Sequence, residues 1–185
     1  MVGVEDGGFS RASAIVRGER ALLICVLMEG TWVEDVRGTM IAVDGLDATE
    51  KLCAMLKGWS YDAVMLAGVS FAGFNLVNPR VVYERYGSPV VVISRTKPNN
   101  VAVRRALLHH FSDWEVRWSV FEELGQIYET VSMPNEPPIF VEVIGAELDL
   151  ATVMIQATSA CCRVPEPIRV ARLVARGLTL QKKNQ

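Results

Sequence analysis

Arg169, Arg172 and Arg176 stand at i, i+3 and i+7 near the end of the chain, a spacing that puts three guanidinium groups on one face of a helix, within reach of nucleic-acid phosphates. No acid lies four residues from any of them on that stripe, which sets it apart from the mixed charge of an ordinary solvated face. A solvated face is the plainer alternative. A second group is the segment 68–75, G-V-S-F-A-G-F-N. It follows a compact apolar run, the place where open α/β sheets hold ligands, and Gly68 and Gly73 allow close backbone approach. Phe71 and Phe74 offer rings on which a base could stack, with Asn75 beside them, although two phenylalanines next to glycines are more often core packing. The third group is acidic: Glu5, Asp6, Asp44 and Asp47 gather near strand ends in the first third. Glu5 and Asp6 read either as site residues or as a solvated strand end before Gly7 and Gly8. Asp47 opens D-A-T-E and makes a good helix N-cap, a role compatible with a place in a site. His109 and His110, adjacent on a predicted helix, cannot both face one site and are read as non-catalytic. Cys25, Cys53, Cys161 and Cys162 fall in apolar patterns with no C-x-x-C pair, which argues for reduced thiols in a cytoplasmic protein rather than zinc or redox chemistry.

The elements that must position these groups follow from apolar periodicity. Residues 2–4 form a short strand ending at Glu5-Asp6, 21–28 (A-L-L-I-C-V-L-M) a buried strand, and 37–43 a third. A helix opens at 47–50 and stops at Gly58. Then come a strand at 63–66, a helix at 79–86 ending at Gly87, and the strand 89–94 (P-V-V-V-I-S), whose unbroken apolar run suits a parallel sheet. A helix at 99–111, an ambiguous stretch to Thr130, a strand at 139–144 and helices at 148–160 and 166–176 complete the chain. Three early strands followed by β-α units predict a mixed sheet with helices on both faces, an order that resembles ribonuclease H. A doubly wound fold would need a helix in 7–20, where the sequence offers little helical pattern.

A chain of 185 residues, half of them apolar and 22% charged, is long enough to bury a core in one domain. The expected extent is 1–180, with 181–185 as a frayed tail. No signal peptide or membrane span is expected. The net charge of −2 speaks against a protein coated in positive charge, but the charge is segregated. Arg163, Arg169, Arg172, Arg176, Lys182 and Lys183 face only Glu166 in the last stretch.

At 43–50 (V-D-G-L-D-A-T-E) and 66–75 (L-A-G-V-S-F-A-G-F-N) the chain resembles an archaeal family of small proteins related to endonuclease V and sometimes named endonuclease dU. The resemblance runs over nearly the whole chain. Residues 163–173, R-V-P-E-P-I-R-V-A-R-L, are similar to the R-x-P-E-P-x-R-x-A-H-L segment that closes endonuclease V chains. The resemblance implies a ribonuclease H-like domain in which three acids bind magnesium, or manganese, for phosphodiester cleavage: hard cations that take oxygen ligands and stabilise attacking and leaving oxygens. The first acid maps to Glu5 or Asp6 and the second to Asp47. The third should stand before Gly68, where this chain has Ala67, and the histidine of the closing segment is Arg172. A basic residue after the apolar strand is retained as Arg95, implied to lie on the phosphate. Asp44, Asp62, Glu147 or Asp149 are the acids able in principle to lean in for the missing ligand. The Pro-Tyr-x-Pro wedge of endonuclease V has no counterpart near 37–43, so recognition of a lesion does not carry over.

Three functions are therefore expected in order: a magnesium-dependent endonuclease on deaminated, uracil- or inosine-type nucleic acid, with Asp6 and Asp47 on metal and Arg95 on phosphate; a non-catalytic nucleic-acid-binding protein on the same scaffold; and a small-molecule or protein-binding domain.

Overall fold

The computed structural model describes residues 1–8 and 19–183, with the side chains of 181–183 left aside. The segment 9–18 and the last two residues of the expected tail lie outside the described residues, so the expectation of no helix within 7–20 is largely outside them too. Nine strands and six helices follow in the described chain: β1 Val2–Asp6, β2 Arg20–Glu29, β3 Trp32–Ala42, α1 Ala48–Leu56, β4 Val64–Leu66, β5 Ser70–Phe71, β6 Asn75–Leu76, α2 Pro79–Tyr86, β7 Val90–Ser94, α3 Asn100–His110, α4 Trp114–Leu124, β8 Tyr128–Thr130, β9 Ile139–Ile144, α5 Leu148–Thr158 and α6 Glu166–Lys183.

Seven strands form one sheet in the order β3-β2-β1-β4-β7-β9-β8, while β5 and β6 pair as a small separate hairpin. β1, β4 and β7 run parallel and the remaining pairs are antiparallel. The three parallel strands are the most enclosed, which is why they read as unbroken apolar runs. One face packs against α1, α2 and α4 through Leu52, Leu56, Val82 and Leu124. The other carries α5 through Ala151 and Ile155 and α6 through Ile168, Ala171 and Ala175. Helices thus cover both faces, as expected from the element order.

Local chemistry sets the boundaries. The Asn78 side chain accepts from the Arg80 and Val81 amides, Pro79 takes the first turn of α2, and Gly87 ends it at φ 74°. Three segments differ from the sequence expectation. β3 begins at Trp32 rather than 37, because β2 and β3 close through a tight turn at Gly30, φ 57°. The ambiguous stretch holds α4 and β8; α4 buries Arg117, Val120 and Leu124, so a charge interrupts its apolar stripe. α6 runs past the expected stop at Arg176 to Lys183, since Gly177 points into open space and a single exposed glycine does not break a helix. No helix among the described residues is long and apolar enough to cross a membrane.

Candidate functional site

Glu5 owes its surroundings to two glycines. Gly3, Glu5 and Gly7 alternate on the face of β1 that carries α6. A Cβ on Gly3 would fall 2.0 Å from the carbonyl carbon of Pro167, and one on Gly7 would fall 2.2 Å from Thr179 Oγ1. Only glycine at both positions lets the helix lie directly on the strand. Between them Glu5 meets Arg172, whose Nε and Nη2 donate to Glu5 Oε2 at 2.8 and 2.6 Å. Glu5 is 8% exposed. Burial pushes its carboxyl above the ordinary value, and Arg172 pulls it back only in part.

Asp6 projects from the opposite face. Its Oδ2 accepts from the Ala72 amide at 2.5 Å, and burial likewise raises its carboxyl, opposed by that bond and by Arg172. Ala72 and Asp44 both hold left-handed backbone, φ 45° and 54°, and are tied to each other by Asp44 N–H donating to Ala72 O at 2.9 Å. Such non-glycine strain persists only where neighbours over-determine it. Here Asp44 Oδ1 accepts from the Phe74 amide at 2.8 Å. A Cβ on Gly73 would strike that same oxygen at 2.2 Å.

Asp47 stands at the N-cap position of α1 but makes no side-chain cap. Its Oδ1 accepts instead from the Ala42 amide at 3.1 Å and from Asn75 Nδ2 at 2.6 Å. Asn75 takes over the cap, its Oδ1 accepting from Ala48 N–H at 2.9 Å while Nδ2 also donates to Ala42 O at 2.8 Å. The capping reading of Asp47 is thereby corrected: an amide from a distant loop supplies it.

Each carboxylate expected to hold magnesium already has a partner in the protein. Glu5 is engaged by Arg172, Asp6 by Ala72, and Asp47 by Ala42 and Asn75. Ala67 brings a methyl to the position where the resemblance to endonuclease V led us to expect an acid. Asp62 precedes β4 and Glu147 and Asp149 follow β9, so all three lie at the N-terminal ends of β4 and β7, the opposite end of these strands from Ala67. Among the described residues no three of His, Cys, Asp and Glu converge as a metal would require. Two hard cations need several free oxygens, and this donor set does not fit them.

What converges is positive charge. At the C-terminal ends of β4 and β7 a cavity of about 370 Å³ is lined by Ala67, Ser94, Arg95, Arg163, Ile168 and Arg172. Arg95 is exposed and makes no ion pair among the described residues. Arg163 donates through Nη1 to Pro138 O at 2.9 Å. The expected arginine stripe is divided. Arg169 is fastened to Glu166 at 2.6–2.9 Å, holding that carboxyl below its ordinary value, Arg172 faces the cavity, and Arg176 is exposed. No acid stands four residues from any of the three, as the sequence has it, yet two of them are paired by other routes: Arg169 with Glu166, three residues away, and Arg172 with Glu5 from another element.

The loop at 68–75 is corrected in the same way. Phe71 is 1% exposed and Asn75 is fully buried, so neither can meet a ligand. Phe74 is half-buried, edge-on to Phe111 at 5.5 Å. Gly68, Val69 and Ser70 of this loop line a cavity, whereas Phe71, Phe74 and Asn75 do not line it. Sequence reasoning missed Arg117, which is 5% exposed and donates to Asp44 O, Gly45 O and Phe74 O at 2.5–3.0 Å. It clamps the two loops that hold Asp44 and Ala72. An arginine amid Trp114, Trp118 and Val120 breaks an apolar stripe, and that break was its one visible signal.

A family model described as Endonuclease dU matches residues 1–179. The chain is 35% identical over 185 residues to a UPF0215 protein of Methanothermobacter thermautotrophicus, covering 97% of this chain and 87% of that one. It is 36% identical to a UPF0215 protein of Methanosarcina acetivorans, covering 96% and 89%. Among solved structures, a protein of unknown function from Archaeoglobus fulgidus superposes with a TM-score of 0.82 at 28% identity, over 96% of both chains. Endonuclease V of Ciona intestinalis, in complex with DNA containing an inosine followed by a ribo-adenosine, superposes at 0.63 with 15% identity, over 100% of this chain and 86% of that one. The likeness to endonuclease V is one of fold, the ribonuclease H-like arrangement that the strand order foretold.

Proposed function

The chain belongs to the endonuclease dU family, and on that footing we propose that it binds the sugar-phosphate backbone of a nucleic-acid strand at the cavity of Arg95, Arg163 and Arg172. The observation that carries this reading is the convergence of three guanidinium groups at the ends of β4 and β7, beside carboxylates that are engaged elsewhere. Arg95, free of ion pairs among the described residues, supplies the mobile charge that displaces counterions from phosphate. Arg172 spends Nε and Nη2 on Glu5 and keeps Nη1 for a phosphate oxygen, held in one orientation by that pair. Positive charge from arginine thus stands beside Glu5 where the family pattern would use a metal. In this reading the chain's own residues bind and orient a strand.

A second reading is metal-dependent cleavage of uracil- or inosine-type strands with Asp6, Asp47 and Glu5 on magnesium or manganese. The family's description and an endonuclease V neighbour held on inosine-containing DNA favour it. It requires Arg172 to leave Glu5. Fluorescence anisotropy with labelled uracil-containing and plain oligonucleotides, followed by denaturing electrophoresis with and without manganese, separates the readings. We expect binding at low salt and intact strands. Manganese-dependent products would install the second reading, and no binding at low salt would remove both.

A further inference from the structure

Glu142 is a buried acid that this binding site does not use. It is 5% exposed, sits on β9 in register with Val92 of β7, and has no hydrogen-bond or ion-pair partner among the described residues. Through Val92 and Leu66 it shares a row, and therefore a face, with Val4 of β1. That is the α4 face, opposite the face on which Glu5 meets α6. There it lines a cavity of about 250 Å³ with Gly68, Ser70, Ser94, Asn100 and Phe121. This cavity and the arginine-lined one share Ala67, Ser94 and Pro98. The two open on either side of the sheet at one place, the C-terminal ends of β4 and β7.

A buried carboxyl without a partner costs several kcal/mol unless something meets it. Burial alone pushes Glu142 up to about 7, so near neutrality it is present in both protonation states. Protonated, it sets a donor beside an acceptor in one plane; ionised, it offers two acceptors. Both match the edge of a planar heterocycle, and the Phe121 ring and apolar Val92 and Leu124 supply surfaces for its faces. Ser70, Ser94 and Asn100 add polar groups around the rim. A chain whose phosphate lies against Arg95 and Arg172 needs only to pass over the C-terminal end of β4 at Ala67 to bring its base to this cavity.

We propose that the cavity in front of Glu142 takes one unstacked nucleobase of the bound strand, and that the Glu142 carboxyl reads that base's hydrogen-bonding edge. The inference rests on the backbone-binding reading above and names what the strand must carry. It makes Glu142 a specificity residue on the face of the sheet opposite the phosphate contacts.

The test uses the full chain and two labelled oligonucleotides of equal length: one of abasic spacers only, the other identical but with a single central uracil. The expected result is affinity on the order of tenfold higher for the uracil strand. In Glu142→Leu that ratio falls to about one, while affinity for the abasic strand and its salt dependence are unchanged; Glu142→Gln, which keeps a donor and an acceptor, retains most of the ratio. Thermal melts of both variants establish that they are folded. Strand binding with no uracil preference, or a preference that survives Glu142→Leu, overturns this inference and leaves backbone binding intact. Failure of the unsubstituted protein to bind either strand at low salt overturns both.

Discussion

Glu5 and Arg172 are 167 residues apart and form the ion pair on which the site turns. Removing one partner from a largely buried pair leaves an unpaired charge in a poor solvent, so Arg172→Ala is expected to cost about 2 kcal/mol at pH 7, discounted for the pair's partial solvent access. Urea unfolding measures this, and the loss should shrink as pH falls, because the stranded Glu5 then protonates; a loss that is the same at pH 4 and pH 7 would point to packing alone. Glu142 gives a second pH signature. Its folded value of about 7 exceeds the 4.5 of an ordinary glutamate, so the folded state binds more protons between those values. The stability that the protonated carboxyl brings is complete below about 4.5 and is lost as pH rises through 7. Glu142→Gln should therefore be more stable than the parent by about 3 kcal/mol at pH 8 and equal to it near pH 4. Equal stability at both pH values would show that Glu142 is solvated. Of these residues, Glu5 is legible from sequence as an acid ending a strand. Its partner is not, because α6 must be folded onto β1 before the two meet, and neither is Glu142, which reads as the polar position of an alternating strand.

At the scale of elements, apolar periodicity was sufficient for β1, β2, β4, β7 and α1, and periodicity with turn-residue chemistry for α2. They failed where tertiary contacts set the outcome: Arg117 inside the buried face of α4, Gly177 within α6, and the Asn75 amide that replaces Asp47 as the cap of α1. The seam between β1 and α6 is the element on which the site depends. Gly3→Ala would place a methyl 2.0 Å from the Pro167 carbonyl carbon, and backbone cannot yield as a side chain can. The variant should lose about 3 kcal/mol, and its strand affinity should fall together with stability because Arg172 rides on the displaced helix. Denaturant melts and low-salt anisotropy check both; full stability in Gly3→Ala would mean that α6 does not lie this close to the strand.

Taken whole, the molecule carries a net charge of −2 yet gathers Arg95, Arg163 and Arg172 at one end of its parallel strands. The total hides that segregation, and only the fold brings Arg95, from the end of β7, to the residues around the start of α6. The family and the sheet order were legible because short motifs and apolar runs are local. The use of the site was not, since Ala67 and Arg172 mark departures from a pattern without saying what replaces it. The most direct test is the salt dependence of single-strand binding in the parent and in Arg95→Ala, an exposed position whose loss should leave the fold untouched. Each phosphate contact on a single strand contributes about 0.7 to the slope of log affinity against log salt. The account predicts a steep slope in the parent, reduced by about 0.7 in Arg95→Ala; a parent affinity that ignores salt, or a slope unchanged by the substitution, would contradict it.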